Sequence, residues 1–111
     1  MALSSDDEVE LAVVDVKAVA KGYRVSALMK SEVLNSDDEA IGEIDDLIVG
    51  NEDNVLFVII QVGGFLGFGG RRIAMPFRRL VIRQEEDAFD IVLPGATRES
   101  LERLPAFEYV P

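Results

Sequence analysis

A glycine-rich segment is the first candidate for a binding or catalytic site in this chain. Residues 63–70 hold five glycines in eight positions, and their backbone N–H groups could surround a phosphate. No Lys-Ser or Lys-Thr follows the segment, and no G-x-G-x-x-G opens a helix, so neither phosphate-binding template is met. The segment also leads into a strand pattern, whereas phosphate loops lead into helices. We therefore interpret it as a bulged connection that needs positive φ angles and close backbone approach.

The carboxylates form the second group, in acidic runs at residues 37–39, 45–46 and 52–53. Such runs could collect Ca²⁺, but a calcium loop needs oxygen ligands at alternate positions and a Glu at the twelfth. Counted from Asp37, the fifth position is Ile41 and the twelfth is Ile48. We interpret these acids as turn residues and outward-facing strand residues.

The residue types that are missing limit the chemistry further. The chain has no Cys and no His, which removes thiol nucleophiles, zinc sites built on Cys or His, and imidazole acid–base catalysis. Its serines have no His to activate them and no nucleophile elbow around them. The sequence thus predicts no catalytic residue, no cofactor, no metal ligand and no enzyme.

The charge of the chain bears on its partners. A formal charge of −10 repels nucleic acid and anionic membrane surfaces on average. The only candidate basic cluster consists of Arg71, Arg72, Arg78, Arg79 and Arg83. We interpret these residues as parts of solvated strand ends and turns.

Neither a membrane helix nor a signal peptide is predicted. No apolar run approaches the ~18 residues of a membrane helix. Acidic residues stand where a signal peptide carries its basic region, so the chain as written is expected in the cytoplasm. A processed periplasmic form would have the same sequence and stays open.

Short apolar runs separated by acidic or Gly/Pro-containing turns predict about six strands. They lie at residues 32–35, 40–49, 55–62, 72–75, 80–83 and 89–93. Residues 55–62 are apolar at almost every position, which predicts a strand buried on both faces. Pro76 marks a strand end or edge. This spacing is typical of a sandwich or a barrel.

The two ends of the chain carry the helical signals. Residues 9–21 place apolar side chains at helical spacing but are rich in β-branched residues, so helix and strand both stay open. Ser26 is predicted to cap a single helical turn at residues 26–30. Thr97 is predicted to cap a helix in which Leu101 and Leu104 share a face and which Pro105 ends.

Four stretches together resemble a known family, the PRC-barrel domain. They are GYRVSALM at 22–29, AIGEIDDL at 40–47, VGGFLGFG at 62–69 continuing into IAMPF at 73–77, and a tail with Gly95, Thr97, Leu101, Pro105, Phe107 and Tyr109. The family includes the photosynthetic reaction-centre H subunit, the ribosome maturation factor and many small stand-alone bacterial proteins. Lys30, Asp38 and Asn54 stand where the family usually or often has Gly; Asp and Asn tolerate such turns best among other residues.

The resemblance implies an all-β fold, a small barrel of about six short strands with a short C-terminal helix. It implies a tail and an ambiguous segment at residues 1–21, the barrel at 22–93, and a helix and tail packed on the barrel at 94–111. It further implies an assembly or docking module, and it supplies no catalytic residues.

The leading hypothesis for function is a protein-interaction module that acts as a homodimer. Its predicted interface is Gly64, Phe65, Leu66, Gly67, Phe68 and Gly69, whose large apolar side chains either close the barrel mouth or contact a partner. A small-ligand or metal-binding domain, using the glycine segment or the acidic turns, is the alternative. RNA or ribosome association is a third hypothesis, and the charge of −10 opposes it.

Overall fold

The structure is a computed structural model that describes residues 11–52, 55–63 and 70–111. Three short helices and six strands make up the regular structure of these residues. In chain order they are α1 (Val16–Ala20), α2 (Val25–Leu28), β1 (Glu32–Leu34), β2 (Ala40–Val49), β3 (Leu56–Val62), β4 (Arg71–Pro76), a 3-10 turn (Phe77–Arg79), β5 (Val81–Glu85), β6 (Ala88–Val92) and α3 (Arg98–Glu102).

The strands form one sheet in the order β4-β3-β2-β1-β6-β5. Neighbours are antiparallel except β1 and β6, which are parallel. Strands β4 and β5 stand at opposite edges of the sheet, yet only residues 77–80 separate them in the chain. Because a chain spans at most about 3.5 Å per residue, the sheet must curl to bring Pro76 near Val81. The predicted all-β barrel with about six strands and a C-terminal helix is confirmed, although the sheet is not closed among the described residues.

The core lies inside this curl and is built from aliphatic side chains. Ile44 of β2, Val58 and Ile60 of β3, Ile73 of β4 and Ile91 of β6 are fully or almost fully buried there. Their branched side chains fit the pleated surface of a sheet. Ile59, on the opposite face of β3, is also fully buried, which confirms the prediction that both faces of this strand are covered.

The helices at the two ends differ in how they are supported. Thr97 caps α3 as predicted: its hydroxyl accepts from the Ser100 N–H at 3.0 Å, and the Ser100 hydroxyl accepts from the Thr97 N–H at 2.9 Å. Leu101 buries this helix against the core. In contrast, α1 is capped by Asp15 but has no buried residue. Residues 16–20 are thus helical, and residues 11–15 have no regular structure.

The predicted cap of α2 was wrong by two positions. Arg24, in an extended conformation, precedes the first helical residue, and its carbonyl accepts from the N–H groups of Ala27 and Leu28. Ser26 therefore lies within the helix. The composition was right for a single turn, but a serine near a helix start does not fix which residue begins it.

Two of the positions where the family usually has glycine do adopt left-handed backbone. Lys30 has φ 67° and Asp38 has φ 62°. The turn around Asp38 is organised by the buried side chain of Asn35, whose Oδ1 accepts from the N–H groups of Asp37 and Glu39, each at 2.9 Å. The third position, Asn54, lies outside the described residues.

Candidate interaction surface

The predicted interface lies in the connection between β3 and β4. These strands form a hairpin in which Val62 pairs with Arg71, and Gly63 leaves β3 with φ 71°. The interface residues themselves, Gly64, Phe65, Leu66, Gly67, Phe68 and Gly69, lie outside the described part of the chain. Their role in a contact stays a prediction.

A second apolar surface is present at the start of the described chain. We call residues 11–20 the N-terminal arm. Leu11 is 91% and Val13 is 99% exposed, and Val14, Val16 and Val19 are each more than half exposed. Exposed aliphatic side chains that are contiguous in this way are typical of contact surfaces. Sequence reasoning noticed the spacing of these valines but did not identify them as a surface.

The base of the arm is attached to the β5–β6 hairpin. The Tyr23 ring packs against the Phe89 ring of β6 with centroids 5.5 Å apart. A few residues later, Leu28 enters the core. The arm therefore leaves the sheet beside β6 and next to the edge strand β5.

The best-connected polar group is a cluster around Asp45 of β2, formed with Lys30, Arg72 and Tyr109. Asp45 Oδ2 accepts from the Tyr109 hydroxyl at 2.6 Å and from Arg72 Nε at 2.9 Å. Lys30 Nζ lies 3.7 Å from Oδ1. The Arg72 guanidinium also lies 5.4 Å from the centre of the Tyr109 ring, a cation–π distance. We call these four residues the Asp45 cluster.

The two acids of this cluster titrate away from their ordinary values. The pKa of Asp45 is lowered, chiefly by the hydrogen bond from Tyr109 and then by Arg72 and Lys30, while partial burial opposes the shift. The pKa of Tyr109 is raised to about 12, mainly by burial and then by its hydrogen bond to Asp45 and the nearby carboxylate charges. Both shifts favour an ionised Asp45 that accepts from a neutral Tyr109.

Further contacts hold the C-terminal residues against the sheet. Arg71 donates from Nη1 to the Glu102 carbonyl at 2.8 Å and from Nη2 to the Leu104 carbonyl at 2.5 Å. The Phe107 N–H donates to the Arg72 carbonyl at 2.7 Å, and the Phe107 ring meets the Tyr109 ring edge-on. The role of the Asp45 cluster is thus to attach this tail to β2 and β4.

The arginines suggested by the sequence as a basic patch are divided among separate contacts. Arg71 satisfies carbonyls after α3, and Arg72 belongs to the Asp45 cluster. Arg83 lies between Asp38, at 2.8 Å, and Asp90, at 3.2 Å. Three of the five candidate arginines therefore have partners within the chain. Arg71 and Arg72 begin β4, and Arg78 and Arg79 lie in the 3-10 turn, but Arg83 stands in the middle of β5 and not at a strand end.

The acidic runs are likewise used within the chain. Asp38 pairs with Arg83, Glu39 accepts from the Asn35 side chain at 2.9 Å, and Asp46 Oδ1 accepts from the Leu47 N–H at 2.8 Å. Within residues 11–52, 55–63 and 70–111, no group of three or more acidic residues is placed to hold a metal ion. Asp53 lies outside these ranges.

Two open clefts meet near the start of α3. One, of about 630 Å³, lies between the Asn35–Glu39 turn and residues 95–99. The other, of about 370 Å³, lies along β2 and shares Ala40, Ile41 and Arg98 with the first. Asn35 is the only buried polar residue of the described chain that lines them, and both ends of its side chain are hydrogen bonded within its own turn. The clefts therefore indicate no particular ligand.

No helix in the described ranges has the length and apolar character needed to cross a membrane.

Comparison with known proteins identifies the family of the chain. No curated protein matches the chain. The PRC-barrel domain family matches residues 20–97, a span that begins at the base of the arm and includes all six strands. The chain belongs to the PRC-barrel family.

Proposed function

We propose that this PRC-barrel domain is a non-enzymatic interaction module that works by protein–protein contact, as a homodimer. The observation that carries the proposal is the N-terminal arm. It presents five aliphatic side chains that are mostly exposed. Exposure of apolar surface to water is unfavourable in free energy, and contact with another protein would remove that surface from water.

The glycine-rich connection supports the same proposal from the sequence. Phe65, Leu66 and Phe68 are large apolar residues set between glycines. Aromatic side chains are enriched in the buried centres of interfaces. We propose that these residues, with Gly64, Gly67 and Gly69, form a second part of the contact surface.

The polar contacts support a structural role, and not a catalytic one, for the ionisable side chains with shifted pKa values. Among the described residues, Asp45 and Tyr109 are the two acids with shifted pKa values. They face each other and Arg72, and together they attach the tail. Perturbed pKa values occur in structural ion-pair networks as well as in active sites. Here the perturbed groups already have partners in the chain.

A dilution series followed by sedimentation tests the proposal. We expect the native chain to be a dimer at micromolar concentrations and to dissociate on dilution. Phe68→Asp should shift the equilibrium towards monomer, because a carboxylate in an apolar contact loses its hydration without a partner.

Val110→Asp is the matched control, since Val110 is 88% exposed and lies near the end of the chain. This change should leave the dimer unaltered. A native chain that is monomeric at every concentration would exclude the homodimer. A dimer that Phe68→Asp does not weaken would remove the glycine-rich connection from the interface and leave the homodimer in place.

A further inference from the structure

The N-terminal arm has little support from the residues that the structure describes. Helix α1 has five residues, none of them buried, and isolated helices shorter than about 12 residues are marginal in water. Residues 11–15, which precede it, have no regular structure. Valines occupy four of the ten arm positions, and β-branched residues favour strands over helices. Conversion of the arm to a strand would therefore break only this short helix and its Asp15 cap.

An open strand edge lies close to the base of the arm. Strand β5 ends the sheet order, and among the described residues its one strand neighbour is β6. Its residues are exposed except for Ile82, which is half-buried, and Val81 is 47% exposed. Such an edge presents unpaired N–H and C=O groups that another strand can use.

The two segments match when they are aligned in parallel. Residues 13–17 read Val-Val-Asp-Val-Lys, and β5 reads Val-Ile-Arg-Gln-Glu. In this register Val13 lies opposite Val81. Asp15 lies opposite Arg83, and Lys17 lies opposite Glu85. Opposite charges and apolar pairs at facing positions stabilise paired strands, and like charges destabilise them.

An antiparallel alignment does not give this match. If Asp15 stands opposite Arg83 in that direction, Lys17 stands opposite Val81 and Val13 opposite Glu85. Moving by four positions to pair Lys17 with Glu85 sets Asp15 against Asp87. The parallel register is therefore the one that pairs both charges and the apolar residue.

The apolar area of the arm suits a dimer interface. At roughly 60 to 120 Å² of apolar surface per aliphatic side chain, the arm exposes on the order of 400 Å². If two arms are exchanged and each covers a similar area of its partner, the total buried is on the order of 1,600 Å², the size of a standard interface. Val13 is ten positions from Tyr23 at the base of the arm, so the arm can extend about 30 Å.

We propose that two copies of this chain exchange their N-terminal arms, with residues 13–17 of each copy adding as a parallel strand to the β5 edge of the other. This inference rests on the proposed homodimer and identifies a contact that builds it. The exchange is symmetric, since each copy gives one arm and offers one edge.

Cysteine cross-linking tests the register. Because the chain contains no Cys, no native thiol competes with the introduced ones. We expect Val13→Cys protein mixed with Val81→Cys protein to form a disulfide-linked heterodimer under mild oxidation. Val49→Cys is the control partner, since Val49 is 65% exposed but lies on β2. Equal yields with Val81→Cys and Val49→Cys would overturn the proposal, as would an intrachain disulfide in a monomeric Val13→Cys/Val81→Cys double variant.

Charge reversal tests the same pairing without a cross-link. Lys17→Glu and Glu85→Lys should each raise the dimer dissociation constant, by about threefold, because like charges then face each other. The double variant should restore it. Both side chains are exposed, so folding is not at risk, and a merely local effect of either change would not be rescued by the other.

The outcomes separate this inference from the proposed function. If the native chain is a dimer but the cross-link and the charge rescue both fail, the arm exchange is wrong and the homodimer stands. If the native chain is monomeric throughout the micromolar range, both the arm exchange and the homodimer are excluded.

Discussion

Lys30 holds a backbone conformation that costs an ordinary residue free energy. Its φ of 67° lies in the left-handed region, where the Cβ atom approaches the following carbonyl oxygen at a cost of about 1 kcal/mol or more. The turn persists because the Lys30 N–H donates to the Ile44 carbonyl at 2.9 Å, which ties α2 to β2. The exposed ammonium group, 3.7 Å from Asp45, adds little.

We therefore predict that Lys30→Gly raises the free energy of unfolding by about 1 kcal/mol. Lys30→Ala is the control, since it removes the charge and keeps the strain, and it should give no gain. Urea denaturation of the three proteins measures the difference. A destabilised Lys30→Gly variant would mean that the ion pair outweighs the backbone strain.

Tyr109 and Asp45 give the molecule a defined pH dependence. The folded pKa of Tyr109, about 12, is above its ordinary value of 10, so its contribution to stability is complete below pH 10 and is lost as the pH rises towards 12. The folded pKa of Asp45 is below its ordinary value of 3.8. Its contribution is complete above that value and is lost as the pH falls through the lowered pKa.

Tyr109→Phe should thus cost about 1 kcal/mol near neutral pH, and the difference from the native chain should shrink at strongly alkaline pH. Asp45→Asn should remove part of the loss of stability that the native chain shows in acid. Denaturation at a series of pH values measures both. An unchanged difference across the alkaline range would contradict the hydrogen bond between Tyr109 and Asp45.

At the scale of the element, α3 depends on its cap more than on its length. It has five residues, Arg98–Glu102, and only Leu101 is buried. The reciprocal bonds between Thr97 and Ser100 satisfy two N–H groups at its start, and Arg71 satisfies carbonyls at its end.

Thr97→Ala should therefore lower the free energy of unfolding by about 1 kcal/mol. Thr97→Ser keeps the hydroxyl and should lose much less. Thermal denaturation compares the two variants. Equal losses would show that the methyl group of Thr97, and not its hydroxyl, stabilises this end of the helix.

Elements with a strong local signal were predictable from the sequence. The ten residues of β2 and the cap at Thr97 agree with the structure, because alternation of apolar residues and capping chemistry act over a few positions. The Asp45 cluster was not predicted, since Asp45 and Tyr109 are 64 positions apart. The secondary structure of the arm was ambiguous for a physical reason. Its valines have no packing partner among the described residues, so no burial selects a helical or a strand spacing for them.

At the scale of the whole molecule, charge opposes the association that the apolar surfaces favour. Each copy carries a formal charge of −10, so two copies repel at low ionic strength, and salt screens that repulsion beyond about 8 Å at physiological concentration. The dimer should therefore be tighter in salt than in dilute buffer, and the apolar arm and the glycine-rich connection should supply its attraction.

The molar mass of the unmodified chain in solution shows whether two copies associate. Light scattering at micromolar concentration and physiological ionic strength should give twice the 12.2 kDa of a single chain. A mass of one chain across that concentration range would exclude the homodimer.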